Sequence, residues 1–173
     1  MVLRCWLLMI VCLANLSYAE DIHWQNSAAI EKIFTDVGLS GTFVLYDSKN
    51  NTYTGHSLAR AQQRYFPAST FKIPNTLIGL SAGAIKTVDD VLPYGGKPQP
   101  FPSREKDMSL REAITISNVP VYQELARRTG LKTMQQNVNK LSYGNMEIGK
   151  QVDNFWLVGP LKISAIEQTQ FHK

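Results

Sequence analysis

Cysteine disappears from this sequence after residue 12: its two cysteines, Cys5 and Cys12, both stand in the opening stretch. The rest of the chain therefore has no disulfide framework. Histidine is equally sparse. His23, His56 and His172 are far apart and none has metal-ligand spacing to a carboxylate, so the residue types argue against a metal site and the sequence calls for no bound cofactor. Charge of one sign is missing as well. The 18 basic residues are nearly balanced by 14 acidic ones and are dispersed, which argues against nucleic acid or an anionic membrane surface as a partner. No repeat or low-complexity segment interrupts a composition of ordinary globular type.

Long apolar runs are absent with one exception. Arg4 precedes an apolar stretch from Cys5 to Leu16, and Ser17-Tyr18-Ala19 then puts small residues where a signal peptidase reads. The stretch is shorter than the ~18 residues of a spanning helix and Asn15 interrupts it, which favours a cleaved signal over a membrane anchor. Met9-Ile10-Val11 lacks the small residues of a lipid-attachment site at Cys12. Residues 1–19 are thus read as a signal peptide, and 20–173 as one exported domain, periplasmic or secreted, with no membrane contact once the signal is removed.

Along that domain, Ile30, Ile33, Phe34 and Val37 recur at helical spacing and stop at Gly38. Gly41–Asp47 and Thr52–Ser57 read as two strands of a hairpin, joined by a turn at 48–51. The hairpin leads into a helix expected from about Thr70 to Ala82, with Pro74 kinking it. Prolines at 93, 98, 100 and 102 make 83–109 a loop-rich excursion. Ser109-Leu110-Arg111-Glu112 has capping-box form, Pro120–Arg128 is a helix closed by Gly130, and Lys132–Leu141 is a further helix before the turn 142–145. Ser164-Ala165-Ile166-Glu167 is another capping box, nine residues before Lys173. A helix barely begun and only two visible strands lead to the expectation that the sequence is cut short at its carboxyl end.

The stretch that carries chemistry is Pro67-Ala68-Ser69-Thr70-Phe71-Lys72. Residues three apart share a helix face, so the Ser69 hydroxyl and the Lys72 amine can meet, and a lysine can take the serine's proton if desolvation lowers its pKa. The spacing alone is weak, because Ser103-Arg104-Glu105-Lys106 repeats it in a charged, solvated run. Phe71, Ile73, Leu77, Ile78 and Leu80 give Lys72 the apolar setting that Lys106 lacks. On pattern alone Ser69 is either a nucleophile or a helix N-cap.

Further motifs follow. Pro67–Lys72, then Ser117-Asn118-Val119, then Tyr143-Gly144-Asn145, then Phe155-Trp156-Leu157 with Gly159-Pro160-Leu161, resemble in order and spacing the active-site segments of the class D serine β-lactamases, the oxacillinases. The resemblance runs through almost all of 20–173. It implies the α/β (α+β) fold shared with penicillin-binding proteins: an antiparallel sheet with flanking helices and a helical subdomain, here without the carboxyl-terminal strands.

The resemblance also implies an activity, hydrolysis of β-lactam antibiotics through an acyl-enzyme, and with it antibiotic resistance. Ser69 would be the nucleophile. Lys72, carboxylated by carbon dioxide or bicarbonate, would be the general base, and Ser117 would pass a proton to the leaving nitrogen. Trp156 would hold the carbamate, Val119 would wall it, and Tyr143 and Asn145 would shape the floor. From pattern alone, Ser117 also reads as the N-cap of the next helix, Trp156 as a core aromatic, Val119 as a packing valine and Gly144 as a turn residue. The family's Lys-Thr-Gly strand has no counterpart, since Lys86-Thr87-Val88 and Lys132-Thr133-Met134 both lack the glycine. Losing one oxyanion-hole donor costs about 10² to 10³ in rate. A penicillin-binding sensor that is acylated without turnover, and an inactive remnant, are therefore the competing readings. The sequence leaves the β-lactam preference and the oligomeric state open, a homodimer included.

Overall fold

The computed structural model describes residues 22–172, so the expected signal segment, with Cys5 and Cys12, lies outside the described residues. A three-stranded sheet opens the fold. Strand β1 (Trp24–Asn26) leads into helix α1 (Ala28–Asp36), and the expected hairpin follows as β2 (Phe43–Asp47) and β3 (Thr52–His56). The Asp47 carboxylate closes the hairpin turn by accepting from the Lys49 and Asn50 backbone N–H groups. The strand order is β1-β3-β2, with β2 and β3 antiparallel as expected and β1 joining β3 in parallel. That third strand departs from the expected two-stranded, antiparallel arrangement; three residues are too few to show an alternation in sequence.

Helix α2 (Leu58–Gln62) leads to the segment that carries Ser69. The expected helix from Thr70 is instead a 3-10 turn, Ala68–Phe71, running directly into α3 (Lys72–Ser81). Pro74 is the third residue of α3, where a missing N–H breaks no intrahelical bond, so the expected kink is not needed.

The loop-rich excursion carries a two-residue ribbon, β4 (Val91–Leu92) with β5 (Met108–Ser109), and a 3-10 turn at Pro102–Arg104. Ser109 caps α4 (Leu110–Thr115) through the capping box read from its sequence. Helices α5 (Val119–Thr129) and α6 (Leu131–Lys140) follow as expected, with Gly130 between them, and the Ser164 capping box starts α7 (Ala165–Phe171).

Two apolar clusters hold the helical part. One gathers Phe71, Ile78, Met134, Tyr143, Phe155 and Trp156; the other gathers Ile85, Leu92, Leu110, Val121, Tyr122 and Leu125. Helix α3 runs between them. Gly79 lets α3 approach α5 closely, since a Cβ there would stand 2.7 Å from Leu125 Cδ1. The sheet has its own small cluster around Tyr53, Ala61 and Ile166, through which α7 rests on it.

Candidate active site

Ser69 lies exposed on its turn while Lys72, one turn on, is 3 % exposed. Side chains three apart eclipse in a 3-10 turn, which aims the two at each other more directly than an α-helix would. Lys72 Nζ donates to Ser69 Oγ at 3.0 Å and to Ser117 Oγ at 3.0 Å, and the two hydroxyls are 2.7 Å apart. Burial pushes the Lys72 amine down to about 8, and the nearby Arg104 guanidinium pushes the same way. Among the described residues Lys72 has no carboxylate partner in an ion pair; its other neighbour is the Tyr122 ring, 5.4 Å from Nζ. A neutral amine hydrogen-bonded to two hydroxyls can accept a proton from either. The competing Ser103 and Lys106 spacing ends differently: the Lys106 side chain is 62 % exposed and its amine lies 3.7 Å from Glu112.

Both hydroxyl-bearing segments are held in left-handed backbone. Ala68, just before Ser69, has φ +49°, and Ser117 has φ +52°. Each such non-glycine residue costs on the order of 1–3 kcal/mol, so its surroundings must impose it. At Ala68 they do so through Ala68 N–H to the Trp156 carbonyl at 2.9 Å and through the reciprocal bridge between Tyr65 and Ile163. At Ser117 the neighbour does the work. Fully buried Asn118, not Ser117, caps α5 by accepting from Val121 N–H, and its amide donates to the Arg104 carbonyl. The expected N-cap role of Ser117 is thereby corrected, and its hydroxyl faces Lys72 instead.

The remaining candidates support the site from behind. Trp156 is 1 % exposed and stacks at 5.5 Å on Phe71, the residue before Lys72 in sequence. Tyr143 is equally buried, edge-on to Phe71, with its hydroxyl donating to Gln168 Oε1. Asn145 ties the 142–145 turn to the chain at 160–162: its amide donates to the Pro160 carbonyl, and its Oδ1 accepts from Lys162 N–H. Gly144 is required there, because its φ is +58° and a Cβ would run into the Lys162 carbonyl. Val119, half-buried, opens α5. Lys86-Thr87 lies in a loop and Lys132-Thr133 on α6, so neither supplies a strand motif.

Over residues 41–173 the sequence matches the penicillin binding protein transpeptidase domain. The chain belongs to the penicillin-binding-protein transpeptidase family. The class D resemblance read from its motifs holds within that family. β-Lactamase OXA-5 of Pseudomonas aeruginosa is 46 % identical over 164 residues, covering 95 % of this chain and 61 % of that relative. β-Lactamase OXA-10 of Pseudomonas aeruginosa is 42 % identical over 163 residues, covering 94 % and 60 %. The crystal structure of FUS-1 (OXA-85), a class D β-lactamase from Fusobacterium nucleatum subsp. polymorphum, matches with TM-score 0.82 and 49 % identity over 85 % of this chain and 61 % of that one. The chain thus spans about 60 % of the length of the relatives it matches.

Three participants in this transpeptidase-family site have no role assigned from sequence, although Asn118 belongs to the Ser117-Asn118-Val119 motif. Asn118 had a signal, an asparagine just ahead of Val119-Pro120, which is where an N-cap belongs. Arg104 lies inside the charged Ser103–Lys106 run, whose local pattern points to solvent. Gln168, whose amide donates to Thr70 Oγ1 at 2.6 Å, had no signal, because α7 meets the Ser69 turn only in three dimensions.

Proposed function

We propose that this chain is the nucleophile-bearing part of a class D serine β-lactamase, acylated at Ser69 by β-lactams. What carries the reading is the Lys72 amine, buried and 3.0 Å from both the Ser69 and Ser117 hydroxyls. The Ser69 proton passes to Lys72 as Oγ bonds to the lactam carbonyl carbon. The carbonyl–nitrogen bond then breaks, and the proton leaves through Ser117 to the ring nitrogen, so the ring opens as an ester of Ser69. Water, deprotonated by the same base, hydrolyses that ester and restores the serine.

The buried amine with its lowered pKa is also what addition of carbon dioxide requires, since only the neutral form reacts. Carboxylation would supply a carboxylate base in place of the amine. Ser69 and Ser117 would donate to it, and the Trp156 indole is the further donor that the resemblance implies. The protein acts on a small-molecule β-lactam after export and signal removal, with resistance as the consequence, and needs neither metal nor nucleic acid. Among the described residues no helix is long and apolar enough to cross a membrane, and no group of three or more His, Cys, Asp or Glu could hold a metal ion.

The test is to purify the exported chain, check folding by circular dichroism, and add a chromogenic cephalosporin and a fluorescent penicillin with and without bicarbonate. Turnover that rises with bicarbonate is the expected result. Stoichiometric labelling of Ser69 without turnover would make the chain a penicillin sensor, and an unfolded spectrum would make it an inactive remnant.

A further inference from the structure

The 101–107 loop presents a cation that no carboxylate neutralises. Arg104 is flanked by Glu105 and Asp107, yet both acids are engaged elsewhere: Glu105 accepts from Gln99 N–H at 2.8 Å and Asp107 from Tyr94 N–H at 3.1 Å. Lys106 takes Glu112, and Arg111 takes Asp89. Among the described residues Arg104 forms no ion pair. Its guanidinium is nonetheless fixed, with Nε donating to the Ile116 carbonyl at 3.3 Å and Cζ lying 4.7 Å from the centre of the exposed Phe101 ring. Its own carbonyl accepts from Asn118. Arg104 is therefore clasped on both sides of Ser117, to Ile116 before it and Asn118 after it.

A half-buried guanidinium presents five donors in a rigid fork. Ile116 uses one of these. Holding such a group against the residue that precedes Ser117, without a counter-ion, costs desolvation that an incoming anion would repay. Its field also disfavours protonation of Lys72, as the direction of the shift there records.

The geometry points to Arg104 as the anion-recognition residue of this site, binding a carboxylate on the ligand that reaches Ser69. This rests on the proposed function for the identity of the ligand, a β-lactam, but not for the binding of a carboxylate. Two sources of that carboxylate are chemically equivalent here, the one on the β-lactam nucleus and one on the acyl side chain.

Two measurements separate the possibilities. Benzoate, with benzamide as the neutral control, is titrated into the chain while the Arg104 Nε–H signal is followed by NMR, assigned by its disappearance in Arg104→Gln. A saturable shift with benzoate alone is expected, with affinity falling about tenfold in Arg104→Gln, the value of one charge-assisted hydrogen bond. An unshifted signal, or equal benzoate affinity in the variant, overturns the proposal. Should Arg104→Gln fail to fold, Arg104→Lys decides: lower affinity supports the planar fork, and unchanged affinity overturns it.

The second measurement compares Ser69 labelling by a penicillin with a carboxylate on its side chain and one with a neutral side chain. A loss in Arg104→Gln confined to the first places the side-chain carboxylate on Arg104, and an equal loss for both places the nucleus carboxylate there. No loss for either overturns the proposal. If neither penicillin labels Ser69 even in the parent chain, the proposed function fails while the benzoate titration still decides Arg104.

Discussion

Ser69 and Ser117, 48 residues apart in sequence, stand with their hydroxyl oxygens 2.7 Å apart, and one lysine amine donates to both. The contact joins a strained turn at the head of α3 to a strained residue between α4 and α5. Each hydroxyl is placed by backbone that its own sequence would not choose, so the site depends on the packing behind it.

Replacing Lys72 by alanine removes the proton acceptor. Ser69 should still be acylated, more slowly by about 10²- to 10⁴-fold, the usual worth of a positioned base. Any acyl-enzyme formed should persist, because deacylation uses the same base. Stopped-flow labelling with a fluorescent penicillin and mass spectrometry of the adduct measure both; undiminished turnover would sink the role of Lys72.

The amine also leaves a signature in stability. An unfolded Lys72 titrates near 10.5 and the folded one near 8, so between those values the unfolded chain holds the extra proton. Unfolding free energy should therefore rise with pH across that window, by a slope of up to one proton, and the rise should be missing in Lys72→Met. Urea titrations of the two proteins at pH 8 and pH 10 give the difference directly. In bicarbonate-free buffer the Ser69 labelling rate should climb as pH passes about 8, as the neutral amine becomes available.

Asn118→Ala should cost about 1–2 kcal/mol for the lost cap of α5. It should also slow Ser69 labelling, because the bond from Asn118 to the Arg104 carbonyl helps fix the Ser117 segment. Thermal unfolding and labelling rates measured on the same preparation separate the two effects.

At Trp156, packing and hydrogen bonding can be told apart. Trp156→Ala should destabilise by about 3–5 kcal/mol, since the side chain is 1 % exposed and stacked on Phe71. Trp156→Phe should keep most of that packing while losing the indole N–H. If the indole supports a carbamate, bicarbonate should stimulate the phenylalanine variant less than the parent.

Gly144→Ala tests the turn that props the site from below. A left-handed φ and a Cβ aimed at the Lys162 carbonyl should together cost about 2 kcal/mol or more, read by urea unfolding.

What the sequence determined by itself was local chemistry. Capping boxes at Ser109 and Ser164, the hairpin's β-branched and aromatic strands and the Gly130 stop all act within a few residues, so their signals are complete in one dimension. The apolar neighbours that separate Lys72 from Lys106 are local in the same sense. Tertiary structure decided the rest. The three-residue strand β1 forms because β3 offers it a parallel edge, and Ser69 sits on a 3-10 turn because the Trp156 carbonyl holds Ala68 in place. Ser117 is freed from capping only because Asn118 is buried between α5 and the Arg104 loop, and Gln168 on α7 and Arg104 in its loop reach the site through contacts that no local pattern signals. Hydrogen bonds between residues far apart in sequence leave no periodic trace in the chain, and in this molecule they are what brings two hydroxyls and an amine together.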